Sequence, residues 1–192
     1  MPMKYETFFC TGQPRSGTHY ITALISYNFL DDKDYLEIYR SHESVQLVQN
    51  DETAYFYIWR EFEPMAKSIY QLKERFGLKA GSFEAFLRSR YCDMWTMGDP
   101  DKISVNARNL VGRTRVKGIS DFFKNIDMPP KRFWEYHNSL WNQCDERNSN
   151  VILIKYEDVL RDFKGEMNHI AQKIGSDKRE FKNIEKKIGY WK

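Results

Sequence analysis

At 192 residues the chain is long enough to bury a proper core as one domain and too short for a two-domain enzyme. Hydrophobic residues at 41 %, charged residues at 30 % and aromatics at 16 % exclude a disordered or fibrous chain, and no run approaches the roughly 18–20 apolar residues that span a bilayer. The net charge of +3 is concentrated in the tail, where residues 161–192 hold nine Lys/Arg against five Asp/Glu, so the balance gives no reason to expect nucleic acid. With no signal-peptide pattern at the N-terminus, the expectation is a soluble, unsecreted, cytoplasmic protein without a membrane partner. Cys10, Cys92 and Cys144 are too few and too scattered for a disulfide framework or a metal knuckle.

In chain order, residues 5–12 (YETFFCTG) read as a buried strand ending in glycine. A QPRSG turn follows, and then Tyr20, Ile21, Leu24, Ile25 and Phe29 recur at helical spacing. A second strand is expected at 35–40, a short helix at 43–49, and a third strand at 54–59 (AYFYIW). A helix is expected over 64–76, closed by Gly77, and another begins at SFEAFL, residues 82–87. Residues 102–120 contain no acidic side chain but five basic ones, inside an apparent insert or lid spanning about 92–131. A helix from the Pro129-Pro130 pair to Arg147, a strand at 150–156 (NVILIKY) and a helical hairpin at 162–174 and 178–187 complete the chain. This alternation predicts a three-layer α/β fold, a parallel sheet flanked by helices, as a single domain over 1–192.

Gly12-Gln-Pro-Arg-Ser-Gly17-Thr18 is set between strand and helix, where backbone N–H groups and a helix N-terminus form an anion cradle. Its spacing is that of a nucleotide-binding glycine loop, but the Lys that an ATP or GTP hydrolase needs after Gly17 is absent. The cation stands inside the loop instead, as Arg15.

PRSGTHY, residues 14–20, resembles the 5′-phosphosulfate loop of the sulfotransferase family, with His19 and Tyr20 departing from its usual Thr-Trp. Residues 55–71 resemble the family's 3′-phosphate motif, a strand ending in Arg60 followed eight residues later by Ser68 at the head of a helix. An Arg fork and a hydroxyl gripping one phosphate from two sides make physical sense. Residues 150–175 resemble the family's V-L-x-L-x-Y-E-D-L strand and helix, which implies Tyr156 near the nucleotide base and structural roles for Glu157 and Asp158. The last residues, IGYWK, are loosely similar to a C-terminal phosphate clamp, with Lys186 and Lys187 as substitutes for its basic pair.

The resemblance implies transfer of a sulfuryl group from 3′-phosphoadenosine-5′-phosphosulfate (PAPS) to a hydroxyl or amine of a small-molecule or glycan acceptor, on a P-loop-like fold without a metal. Ser16, Gly17, Thr18, His19 and Tyr20 would lie along the cofactor, Tyr20 offering a flat face to adenine. Arg15 would stabilise the departing oxygen. IYRSHES, residues 38–44, resembles the family's K-T-H segment, so His42 would be the general base and Arg40 would assist the sulfuryl charge. His19 is the reserve base. His169 reads as structural, and His137, among Phe133, Trp134, Tyr136 and Trp141, reads as core rather than acceptor wall. Two other readings fit parts of the pattern: an ATP-dependent small-molecule kinase, and a non-catalytic basic module for a nucleotide or polyanion.

Overall fold

The computed structural model describes residues 3–30, the backbone of 38–41, and residues 51–96 and 123–184. Within these, the chain divides into two compact units, residues 1–60 with 139–192, and residues 61–138.

The first unit is built on four parallel strands, β1 (Thr7–Thr11), β2 (Ile38–Ser41), β3 (Thr53–Trp59) and β4 (Val151–Lys155), in the spatial order β2-β1-β3-β4. Side chains along a strand alternate between faces, and the core obeys that period. Phe8, Cys10, Ala54, Phe56, Ile58, Ile152 and Ile154 face one way. They meet Ile21, Leu24 and Ile25 of helix α1 (Thr18–Phe29) and a C-terminal helix. Phe9, Tyr55, Tyr57, Trp59, Val151 and Leu153 face the other way, onto Trp141 and Cys144. Helix, sheet and helix give the expected three layers. The aromatic residues supply this core directly, with Phe8 edge-on to Phe56 at 5.3 Å and Tyr57 stacked on Trp141 at 5.0 Å.

In the second unit, helix α2 (Phe62–Gln71) is followed by a 3-10 turn (Lys73–Phe76), which ends at left-handed Gly77. Helix α3 (Phe83–Arg88) starts where Ser82 accepts a hydrogen bond from the Ala85 N–H, and α4 (Tyr91–Met94) follows it. Met65, Ile69, Phe76, Phe86, Tyr91, Phe123 and Phe133 form its core, so many of the chain's aromatic residues are structural. Helix α5 (Pro130–Asp145) begins in this unit, and its residues 139–145 belong to the first.

After β4 come α6 (Tyr156–Arg161) and α7 (Phe163–Ile174), the latter started by Asp162 and stopped by Gly175 in the left-handed region. The second arm expected at 178–187 is not helical over its described residues, 178–184. This segment lies against α1 instead. The buried Asn28 side chain accepts from the Lys182 N–H (2.8 Å) and donates to the Lys182 and Leu24 carbonyls (3.0 and 2.9 Å), while Phe29 packs on Phe181 at 5.8 Å. A helix would direct that N–H and carbonyl into its own ladder. Asn28→Ala leaves this backbone without its partner and is expected to cost about 1–3 kcal/mol, checked by the denaturant midpoint at unchanged slope. Among the described residues no helix is long and apolar enough to cross a membrane.

Candidate functional site

In the strand order, the chain moves from β1 to β2 on one side and to β3 on the other, so the connections leaving β1 and β3 separate at the carboxyl end of the sheet. That crevice is where open α/β sheets bind ligands. Three of the sequence-predicted stations fall on strand exits there. Residues 12–17 leave β1, Arg60 follows β3, and Tyr156 follows β4.

The 12–17 loop turns through two left-handed residues, Arg15 at φ 69° and Gly17 at φ 97°. Left-handed backbone is ordinary for glycine and uncommon for arginine. The Ser16 N–H donates to the Gln13 carbonyl at 3.1 Å, and the Gly17 carbonyl accepts the first α1 hydrogen bond from the Ile21 N–H. Gly12 has no room for a side chain, because a Cβ there would overlap the Ile58 carbonyl and approach Ser16 Oγ to 2.7 Å. Arg15 and His19 are exposed, whereas Ser16 and Thr18 are buried. The Ser16 hydroxyl has no hydrogen-bond partner among the described residues. Helix α1 has no side-chain cap and no acidic residue in its first turn, which leaves its positive end open to an anion.

Tyr156 joins these elements. Its ring lies against Gly17, where a Cβ would overlap it. The Arg60 guanidinium sits over the ring, 4.9 Å from its centre, and Tyr20 meets it edge-on at 6.0 Å. Arg60 Nε also lies 3.5 Å from Glu157 Oε1, an ion pair at the end of the strand. The Tyr20 hydroxyl donates to Asn183 Oδ1 at 2.9 Å. Burial, reinforced by the neighbouring Tyr156, pushes the Tyr20 phenol above its ordinary range and keeps it neutral.

Other expected residues fall elsewhere. Ser68 belongs to the second unit, half-buried in the later part of α2 rather than at its head, because that helix already begins at Phe62. Arg40 is in β2, opposite Cys10, and its side chain lies outside the described residues, as do His42, Lys186, Lys187 and residues 102–120. His137 is buried and packs on Phe133 at 5.5 Å, a core histidine as expected. His169 is exposed on α7. Among the described residues, no three His, Cys, Asp or Glu side chains are grouped to hold a metal ion.

The sequence reading missed two residues, Gln13 and Tyr57. Gln13 is buried inside the loop and its side chain is hydrogen-bonded to the phenol of Tyr57. The only advance signal was a polar residue between Gly12 and Pro14 with no assigned task.

Residues 25–190 match the sulfotransferase domain family. The fold is similar to that of a mouse sulfotransferase, SULT7A1, solved in complex with PAP. The likeness has a TM-score of 0.57 at 16 % identity and covers 91 % of this chain and 60 % of that one. This chain therefore spans less than two thirds of that relative's length. No curated protein matches the sequence.

Proposed function

This chain belongs to the sulfotransferase domain family, and from that premise we propose that it transfers a sulfuryl group from PAPS to a hydroxyl or amine of a small-molecule or glycan acceptor. The supporting observation is the convergence at one sheet end of the 12–17 loop, Arg60 and Tyr20 around a single ring, Tyr156. A 3′,5′-bisphosphorylated nucleoside suits that set. The loop presents N–H groups, a helix N-terminus and the unpartnered Ser16 hydroxyl to the 5′-phosphate. Arg60 offers a planar fork to the 3′-phosphate, and the tyrosines offer flat faces to the base. Bound PAPS supplies the activated sulfuryl group.

His42 takes the acceptor's proton as its oxygen or nitrogen bonds to sulfur. The bond from sulfur to the bridging oxygen breaks, and Arg15, assisted by Arg40, stabilises the charge left on the 5′-phosphate. The absence of a Lys after Gly17 weighs against ATP as the donor.

Calorimetric titration with PAP and with ATP tests the nucleotide assignment. PAP is expected to bind and ATP to bind far more weakly; a preference for ATP overturns the reading in favour of a kinase. Arg60→Ala is expected to weaken PAP by about ten- to a hundredfold, because charge-assisted hydrogen bonds contribute about 1.5–3 kcal/mol each. Unchanged affinity would remove Arg60 from the phosphate site.

A further inference from the structure

Gln13 and Tyr57 lie within the two phosphate-binding stretches but have no part in the roles assigned above, and the strand register brings Tyr57 beside the loop. Strand register pairs Thr11 with Tyr57, which sets the tyrosine beside the point where the loop leaves β1. Gln13, two residues further on, is 3 % exposed, and Tyr57 is 1 % exposed. The Trp141 ring stacks on Tyr57 at 5.0 Å with 7° between planes. Burial raises the Tyr57 phenol far above its ordinary range, and the hydrogen bond to Gln13 partly opposes that rise. Within the loop, the backbone carbonyl of Gln13 accepts from the Ser16 N–H at 3.1 Å. One residue is therefore held by its side chain from the sheet and holds the loop's turn by its carbonyl.

We infer that Gln13 is a positioning residue for the anion cradle, fixed by the Tyr57 hydroxyl on the Trp141 platform, so that the loop's grip on a 5′-phosphate depends on a phenol that never touches the ligand. An unanchored Gln13 lets the turn at Arg15 and Gly17 relax, and the N–H groups then no longer point at one place. Preorganised donors lose affinity when they must be reordered on binding. The inference rests on the nucleotide reading above and deepens it.

Tyr57→Phe removes one oxygen and keeps the ring and its stack. Its affinities for PAP and for adenosine 3′-monophosphate, which lacks the 5′-phosphate, are compared with those of the unaltered chain. PAP is expected to bind about tenfold more weakly, and adenosine 3′-monophosphate within twofold of the original value. Gln13→Met breaks the same bond from the other end and should give the same split. The double variant should lose no more affinity than either single variant. Equal losses for both ligands, or an unchanged PAP affinity in either single variant, would overturn the positioning role. If the unaltered chain binds no PAP, the nucleotide reading fails, and this inference with it; if it binds PAP and the variants match it, only the inference fails.

Discussion

Gly17→Ala is expected to abolish nucleotide binding, weakening PAP by at least about a hundredfold. Two costs act together. At φ 97° an L side chain is strained by about 1–3 kcal/mol, and the new Cβ would overlap the Tyr156 ring, standing 2.8 Å from Cε2 and 3.1 Å from Cγ. The ring cannot yield alone, because Arg60 lies over it and Tyr20 abuts its edge. One methyl group thus disturbs the loop, the 3′-phosphate candidate and the base-stacking candidate at once. Gly81→Ala is the matched control, since a Cβ there meets nothing within 4 Å. It should bind PAP as the unaltered chain does. Comparable losses in both variants, measured by titration, would show that Gly17 has no special place in the site.

His42→Ala is expected to lower turnover by about 10²–10⁴-fold while leaving PAP affinity within a few-fold, as removal of a general base does. Ser41 ends β2 in register with Thr11, the residue before Gly12, and His42 is next in the chain. Imidazole works as a base only when neutral, so kcat should fall on the acid side of the pH profile. In His42→Ala that limb of the profile should vanish. Intact turnover in the variant would pass the role to another base, with His19 the first to test.

Much of this architecture was legible in the sequence because the patterns involved are local. Short apolar runs read as strands, helical spacing after a glycine loop, and Ser82 and Gly77 as start and stop signals all depend on residues within a few positions of one another. The tail was misread for the same reason. Its composition permits a helix, but Asn28, more than 150 residues earlier, captures the Lys182 backbone in two hydrogen bonds. Gln13 and Tyr57 were missed because they are far apart in the chain, and only the pairing of β1 with β3 brings Tyr57 beside the start of the loop. Arg60 was singled out through the resemblance of residues 55–71 to a family motif, but its seat over Tyr156 and beside Glu157 depends on β3 and β4 being neighbours. The aromatic excess could be counted in advance, whereas its division between packing and binding depended on which rings the fold buries. Phe133 and Trp141 are in cores, and Tyr20 and Tyr156 adjoin the loop.

The most direct test is incubation of the unaltered chain with sulfur-labelled PAPS and a panel of phenol, alcohol, amine and sugar acceptors, following PAP release and the fate of the label together. The account predicts PAP release that depends on an acceptor, with the label recovered on that acceptor in equal amount. PAP that binds without acceptor-dependent release across the panel, or no binding of PAP at all, would contradict it.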